Sequence, residues 1–233
     1  MKLLLFDIDG TLLISQGAGR RAVESALSRH VGVSISLSNV SLSGRTDWQI
    51  IEEVLEAHGI APTDQTVEAA LHAYADAAST TVDTRSVEIL PGVQPLIEHL
   101  HHRADVQLGL VTGNVEPMAY AKLGAVDLDA YFPFGAFGND HADRSRLPPL
   151  ALERARSHAG HAFEGRHAVV IGDTQHDITC SRSIDATSVA VCTGRYTRDD
   201  LSPHDPDHLL DDLRDTDAVL ERLLPEDAPR ASV

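Results

Sequence analysis

The stretch LLLFDIDGTLL, residues 3–13, constrains the fold of this chain more than any other part of it. It starts as a short, continuous apolar run, which is typical of a strand buried on both faces of a parallel sheet. Asp7 and Asp9 follow, one residue apart, before the chain breaks at Gly10. A lone buried carboxylate is costly, so the pair needs a metal, another cation or solvent beside it. The stretch predicts a functional site at the end of a buried strand.

Three more apolar runs complete the predicted sheet, whose first strand covers residues 2–8. They are VQLGLVTG at 106–113, HAVVIGD at 167–173 and TSVAVCTG at 187–194. The segments that separate or follow them have helical composition and cover residues 115–123, 149–159 and 175–184. Strands that alternate with helices predict an α/β fold, a Rossmann-like doubly wound parallel sheet with helices on both faces.

Residues 15–88 break this alternation. They contain few β-rich runs but three amphipathic helical ones, at 18–32, 47–59 and 66–79. We therefore predict a helical domain of residues 15–88 inserted into a core domain made of residues 1–14 and 89–224. The segment LPGVQPLIEHLHH, at 90–102, returns the chain to the core, and the polar, proline-containing end, 225–233, is predicted to be a flexible tail.

Composition narrows the possible partners and the compartment. The chain of 233 residues has a formal net charge of −16, which argues against nucleic acid and anionic membranes as partners. No apolar window approaches a membrane span, and the first residues show none of the basic start, long apolar run and small-residue cleavage site that are typical of a signal peptide. Cys180 and Cys192 form no CxxC motif and no disulfide framework. We expect a cytoplasmic protein, a monomer or weak homodimer.

The predicted strand ends bring polar residues from distant parts of the chain together, because ligands bind at the carboxyl ends of parallel strands. These residues are Asp7 and Asp9, then Thr112, Gly113 and Asn114, and finally Asp173 and Asp177. Four carboxylates in one crevice repel one another without a cation, and carboxylate oxygens suit Mg²⁺. We expect a hard divalent ion, held by Asp7 and Asp173 with waters completing its shell.

Two other features bear on ligands. In VTGN, 111–114, the Thr112 hydroxyl and the following backbone N–H groups are suited to bind a phosphate at a helix start. The histidines at 99–102, and His204 with His208, have no visible third ligand, so the sequence does not favour zinc.

Three motifs in this order, DIDGTL at 7–12, VTGN at 111–114 and GDTQHD at 172–177, resemble the motif pattern of the haloacid dehalogenase superfamily. The helical insertion resembles the α-helical cap of its phosphoglycolate phosphatase and β-phosphoglucomutase branch. The resemblance implies that Asp7 attacks phosphorus and forms an aspartyl-phosphate. Asp9 would protonate the leaving alcohol, later activate water, and lend its backbone carbonyl to Mg²⁺.

The resemblance also assigns the remaining site residues. Thr112, Gly113 and the Asn114 amide would bind the phosphoryl group, Asp173 would ligate the metal, and Asp177 would support it. The lysine usual in the third motif is missing, since the only lysines are Lys2 and Lys122. Arg144 or Arg146 would replace it, because a guanidinium can hold both a phosphate oxygen and Asp7. We favour Arg144.

The segment SGRTDW, residues 43–48, has two interpretations. Thr46 or Asp47 could simply cap a helix that starts at Trp48. Alternatively, the segment reaches the substrate, with Arg45 contacting its distal end, as loops at this place in similar caps do.

The sequence therefore favours a Mg²⁺-dependent phosphatase that acts on a small phosphate ester, phosphoglycolate-like or a sugar phosphate. A phosphomutase is the nearest alternative, since it shares the nucleophile and the acid/base residue. Haloacid dehalogenation is disfavoured by Asp9, because dehalogenases lack the second acidic residue. A non-catalytic binding protein on the same fold is a further alternative, and it predicts missing site residues.

Overall fold

A six-stranded parallel sheet forms the centre of the protein in the computed structural model, which describes residues 1–38, 40–82 and 84–225. The strands in chain order are β1 (Lys2–Phe6), β2 (Leu13–Ile14), β3 (Glu88–Ile89), β4 (Val106–Val111), β5 (Gly135–Ala136), β6 (Ala168–Gly172), β7 (Thr187–Val191) and β8 (His208–Leu210). The sheet has the order β5-β4-β1-β6-β7-β8, and β2 pairs with β3 in a separate antiparallel ladder. The predicted α/β architecture is confirmed.

Strand β1 lies in the middle of the sheet because its side chains are apolar on both faces. Leu3, Leu4, Leu5 and Phe6 are fully buried. The strand pairs in parallel with β4 on one side and with β6 on the other. The three polar turns that follow β1, β4 and β6 are therefore neighbours in space.

The helices in chain order are α1 (Ala18–Val31), α2 (Asp47–Ala57), α3 (Asp64–Thr81), α4 (Val93–His101), α5 (Glu116–Gly124), α6 (Leu147–Ala159), α7 (Gln175–Ser181), α8 (Arg198–Leu201) and α9 (Thr216–Leu223). Apolar residues of α4, α5 and α9 pack with one face of the sheet. Those of α6 and α7 pack with the other face. Burying both faces stabilises the parallel sheet.

Helices α1, α2 and α3 share a hydrophobic cluster of their own. In α2, Ile50, Ile51, Val54 and Leu55 are buried on one face, as their spacing predicts. Val115 and Met118, at the start of α5, join this cluster, so it continues onto the sheet-bearing part of the chain. The ladder of β2 with β3 lies where the chain enters and leaves the helical segment. The domain boundaries at 14/15 and 88/89 stay a prediction.

Several elements differ from the sequence-based expectations. The four predicted strands are each shorter, because their last residues turn into loops that carry polar groups. Strands β5 and β8, and the ladder of β2 with β3, were not predicted, since two or three residues carry no readable periodicity. The helix expected over 175–184 ends at Ser181 and continues as a 3-10 turn, Arg182–Ile184. The predicted tail falls, from residue 226 onward, outside the described residues.

No helix in the described ranges combines the length and the apolar character that crossing a bilayer requires.

Candidate active site

A cavity of about 400 Å³ opens at the carboxyl ends of β1, β4 and β6. Its lining includes residues that follow these strands, namely Asp7, Asp9, Thr112, Gly113, Asn114 and Asp173. Side chains of the helical segment, among them Arg20, Arg45, Asp47 and Tyr74, line it as well. The structure thus brings the predicted site residues together at one edge of the sheet, under the helices of the insertion.

Three carboxylates cluster in this cavity. Asp7, Asp173 and Asp177 are all buried, and one oxygen of each lies within 4.8 Å of the others. The pKa of Asp7 is raised to about 7, chiefly by burial, which the charge of Arg144 opposes and the charges of Asp177 and Asp9 reinforce. Burial, followed by the charges of Asp7 and Asp177, also holds the pKa of Asp173 well above its ordinary value. The cluster is costly to ionise without a cation.

Arg144 supplies one positive charge to this cluster. It lies in a 3-10 turn, Arg144–Arg146, where its buried guanidinium places Nη2 at 2.5 Å from Asp177 Oδ1 and 3.2 Å from Asp7 Oδ1. Arg146 is exposed. Three carboxylates against one guanidinium leave a formal charge of −2.

A divalent cation fits these residues. Asp173 Oδ1 is buried and has no hydrogen-bond partner among the described residues. The donor set is made of carboxylate oxygens, which hard cations such as Mg²⁺ prefer. Asp177 is already engaged, since it accepts hydrogen bonds from the Thr174 backbone N–H and hydroxyl in a capping box at the start of α7. Asp7 and Asp173 are therefore the freer ligands.

Two positions around the cluster require glycine, because their backbones lie very close to the Asp173 carboxylate. A Cβ at Gly10, whose φ is +85°, would lie 2.5 Å from Asp173 Oδ2, and one at Gly194 would lie 1.6 Å from the same atom. Both backbones therefore pack against this carboxylate and confine it to one position.

Thr112 lies fully buried beside the cluster, directly after β4. Its Oγ1 accepts hydrogen bonds from the Asn114 backbone N–H, at 3.3 Å, and from Asn114 Nδ2, at 2.8 Å. The hydroxyl proton has no acceptor among the described residues and is free for an anion. Gly113 is needed because a Cβ there would lie 1.9 Å from the carbonyl oxygen of Arg45.

Lys122 is a site residue that the sequence analysis missed. Its Nζ lies 2.5 Å from Asp9 Oδ2 and 2.6 Å from Asn114 Oδ1. Ser15 Oγ donates to the other Asp9 oxygen, at 2.8 Å. Burial alone would raise the pKa of Asp9, but the charge and hydrogen bond of Lys122, with those from Asn114 and Ser15, lower it. The sequence did contain a sign that Lys122 is buried, because this lysine lies four residues after Met118, on the apolar face of α5.

Asp47 joins the helical segment to the sheet-bearing part of the chain. Its Oδ2 accepts the Val115 backbone N–H at 2.7 Å, and its own backbone N–H donates to the Gly113 carbonyl at 2.7 Å. Tyr74, on α3, is hydrogen-bonded to the same carboxyl, and burial raises the pKa of Asp47 to about 7. Asp47 therefore does not act as the helix cap.

Thr46 is the N-cap of α2, as one interpretation predicted. Its Oγ1 accepts the Gln49 backbone N–H at 3.2 Å and donates to the Ala142 carbonyl at 2.8 Å. Arg45 lines the cavity, and its guanidinium is paired with Glu53 and donates to the Gln49 carbonyl at 3.2 Å. Its contact with substrate stays a prediction.

The histidines considered above as zinc ligands, those at 99–102 with His204 and His208, are not among the residues that line the cavity. His101 packs its ring against Tyr131, and His102 Nδ1 lies 2.6 Å from the Glu98 carbonyl. Within the described part of the chain, the single group of three or more metal-ligating side chains is Asp7, Asp173 and Asp177.

Comparison with known families agrees with this geometry. A family model described as haloacid dehalogenase-like hydrolase matches residues 4–191. The chain belongs to the haloacid dehalogenase-like hydrolase family. The match includes all three motifs, from the strand before Asp7 to the end of β7, and the whole helical insertion of this hydrolase.

Named relatives of this hydrolase cover most of its length. A protein of Phytophthora nicotianae called imidazoleglycerol-phosphate dehydratase is 28% identical over 200 residues, which are 82% of this chain and 43% of that protein. The chain thus spans less than half of that relative. Phosphoglycolate phosphatase 1 of Pseudomonas aeruginosa is 27% identical over 240 residues, which are 97% of this chain and 84% of the relative.

Solved structures share the fold of this hydrolase. A predicted phosphatase from Clostridium acetobutylicum matches with a TM-score of 0.71 and 18% identity, over 94% of this chain and 98% of that one. A β-phosphoglucomutase from Clostridium difficile matches with a TM-score of 0.68 and 16% identity, over 96% and 97%. At sequence identities of 18% and 16%, this similarity shows a shared fold alone.

Proposed function

We propose that this hydrolase is a Mg²⁺-dependent phosphatase of small phosphorylated metabolites, working through an aspartyl-phosphate on Asp7. The observation that carries the proposal is the placement of Asp7. Its carboxylate lies 3.2 Å from the buried Arg144 guanidinium, in a cluster of formal charge −2, and the Thr112 hydroxyl lines the same cavity. Phosphoryl transfer needs this combination of a nucleophile and groups that bind the transferred oxygens.

In the first half-reaction, a carboxylate oxygen of Asp7 attacks phosphorus and the bond to the ester oxygen breaks. The Thr112 hydroxyl, the backbone N–H groups near Gly113 and the Arg144 guanidinium hold the transferred oxygens. The protonated form of Asp9, two residues beyond the nucleophile and 37% exposed at its side chain, gives its proton to the leaving alcohol. Because the Lys122 ammonium lowers the pKa of this carboxyl, the protonated form is the less populated one at neutral pH.

In the second half-reaction, the ionised Asp9 takes a proton from water. The resulting hydroxide attacks phosphorus, the bond to Asp7 breaks, and inorganic phosphate leaves with both carboxyl groups restored to their starting states.

The metal belongs to the acidic cluster. Bound Mg²⁺, held by Asp7, Asp173 and the Asp9 backbone carbonyl with Asp177 in support, would neutralise charge on the phosphoryl oxygens and favour the ionised form of Asp7. Arg144 adds a fixed positive charge between Asp7 and Asp177, and its planar fork suits two oxygen partners.

The helical insertion supports a second part of the proposal, a cap that excludes water and selects the substrate. Arg20, Arg45, Asp47 and Tyr74 line the cavity from this side. Their charged and polar groups suit a leaving alcohol that bears oxygen substituents. Phosphoglycolate-like and sugar phosphates are such substrates, and the relative named phosphoglycolate phosphatase 1 supports the first group.

A β-phosphoglucomutase-like phosphomutase is the second candidate, because the solved structure of that name shares the fold and a mutase needs the same carboxylate pair. Dehalogenation is disfavoured by Asp9, which lies in the cavity with three hydrogen-bond donors around it. A non-catalytic binding protein would lack the nucleophile, the buried cation and the acid/base residue, all of which line the cavity.

A phosphatase screen tests the proposal. The protein, with and without Mg²⁺, is assayed for phosphate release from several dozen phosphomonoesters. We expect Mg²⁺-dependent release that is abolished by Asp7→Asn and unaffected by Asp199→Asn, a matched change at an exposed aspartate of α8. Isomer interconversion with a bisphosphate primer, in place of phosphate release, would assign the mutase. Absence of both activities would contradict the proposal.

A further inference from the structure

Lys122 is a buried cation that the proposed mechanism does not use. Its side chain is 3% exposed, and lysines are almost never buried to this degree unless they are paired. The first turn of α1 lies over the ammonium group, since a Cβ at Gly19 would be 3.4 Å from Nζ. Lys122 and Gly19 both belong to the wall of the cavity.

The hydrogen bonds of Lys122 form a closed ring. Nζ donates to Asp9 Oδ2 and to Asn114 Oδ1, while Asn114 Nδ2 donates to the same Asp9 oxygen at 2.9 Å. An ammonium can only donate and a carboxylate can only accept, so this ring determines which way the Asn114 amide points. The second Nδ2 hydrogen is then directed to Thr112 Oγ1.

The ring matters because the Asp9 side chain is partly exposed to the cavity. Ser15 holds Oδ1, and the pair Lys122 and Asn114 holds Oδ2. Without Lys122, the only hydrogen-bond donors left to the Asp9 carboxyl in this ring and at Ser15 would be uncharged. Asn114 would also lose the partner that fixes the orientation of its amide. The geometry of Asp9 therefore depends on Lys122.

We propose that Lys122 is a positioning residue that holds the Asp9 carboxyl, through the ring with Asn114, in the place from which it transfers protons to and from the reacting oxygens. This inference rests on the proposed function, because that function gives Asp9 the proton transfers. Lys122 itself touches neither the phosphoryl group nor the leaving alcohol in this role. A misplacement of about 1 Å costs on the order of 100-fold in rate.

The first proton transfer serves the leaving alcohol, so the effect of Lys122 depends on the leaving group. Phenol, whose pKa is about 10, leaves poorly without a proton. The nitro group of p-nitrophenyl phosphate stabilises the leaving phenolate, which needs less help from an acid. The two esters have nearly the same shape, and kcat/KM reports the steps up to alcohol release.

The test compares Lys122→Met with Lys2→Met, the same change at the only other lysine of the chain. We expect kcat/KM for phenyl phosphate to fall about 100-fold in Lys122→Met, and that for p-nitrophenyl phosphate to fall at least about tenfold less. Lys2→Met should match the wild-type protein on both esters. Equal losses on the two esters in Lys122→Met would overturn the positioning role.

A double-mutant cycle tests whether Lys122 acts through Asp9. In an Asp9→Asn background, adding Lys122→Met should change kcat/KM for phenyl phosphate by less than about threefold, because the group it positions is already gone. Full additivity would overturn the inference. Lys122→Gln, which keeps a donor for Asp9, should recover part of the loss, and it replaces Lys122→Met if that variant does not fold.

These assays distinguish a failure of the proposed function from a failure of the proposed role of Lys122. A wild-type protein that hydrolyses neither ester contradicts the proposed function, and the role of Lys122 with it. An active wild-type protein with equal losses on both esters contradicts the role of Lys122 alone.

Discussion

Replacing Arg144 by methionine should destabilise the protein strongly when no divalent cation is present. The guanidinium is buried and contacts Asp177 and Asp7, at 2.5 and 3.2 Å. Removing one partner of a buried ion pair costs about 3–5 kcal/mol, because the other charge stays buried without compensation. Here the formal charge of the cluster changes from −2 to −3.

Thermal unfolding with a chelator present measures this loss. For a chain of this size, about 1 kcal/mol corresponds to about 2–4 °C in Tm, which predicts a fall of about 6–20 °C for Arg144→Met. Arg146→Met is the matched control, since Arg146 is exposed two residues away, and it should leave the Tm within about 2 °C.

A second substitution tests the electrostatic reason. Asp177→Asn removes one negative charge while it keeps an oxygen that accepts from Thr174. Added to Arg144→Met, it should recover about 1–3 kcal/mol of the lost stability. A normal Tm in Arg144→Met, or further destabilisation in the double variant, would refute the view that Arg144 balances the charge of the cluster.

Three further predictions follow from the site. Mg²⁺ at about 100 times its Kd should stabilise the protein against thermal unfolding by about 2.7 kcal/mol, and Asp173→Asn should abolish this gain. Equal stabilisation of the variant would argue against a metal at Asp173. Burial raises the pKa of Asp47 to about 7, so between about pH 4 and 7 the folded state keeps a proton that the unfolded state has lost, and stability falls as the pH rises. Asp47→Asn should therefore gain about 1–4 kcal/mol relative to wild type between pH 5 and pH 8 in urea unfolding, and parallel curves would refute this. Gly113→Ala places a Cβ 1.9 Å from the carbonyl oxygen of Arg45, so the loop at Arg45 must shift. We expect kcat/KM on any substrate to fall at least about tenfold, and unchanged activity would contradict this.

The parts of the fold that the sequence predicted are those with strong local patterns. The apolar run before Asp7 predicted a buried strand. Its neighbours in the sheet place Thr112 and Asp173 beside Asp7, because parallel strands end at one edge. The predicted helices of the insertion lie in α1, α2 and α3. Strand β5, with two residues, is held by pairing with β4 and had no pattern of its own.

The site residues that the sequence missed depend on contacts between distant segments. Lys122 follows Asn114 by eight residues, and the tertiary fold brings its buried ammonium beside Asp9, with Gly19 of α1 next to it. The sequence left Thr46 or Asp47 as the possible helix cap. It gave no sign of the contact between Asp47 and Val115, because the two residues are 68 positions apart. The choice between Arg144 and Arg146 also depended on a tertiary contact, since neither residue has a local partner that predicts which one faces Asp7.

The most direct test of the account is the detection of a phosphoryl group on Asp7 during turnover. A substrate labelled at phosphorus is mixed with the protein, the reaction is quenched in acid, and the acyl phosphate is reduced with borohydride, which converts a phosphorylated aspartate to homoserine. Trypsin then releases the peptide Leu3–Arg20 for sequencing by mass spectrometry. We expect homoserine at position 7 and unchanged aspartate at position 9. Homoserine at position 9, or an active enzyme that leaves both aspartates unreduced, would contradict it.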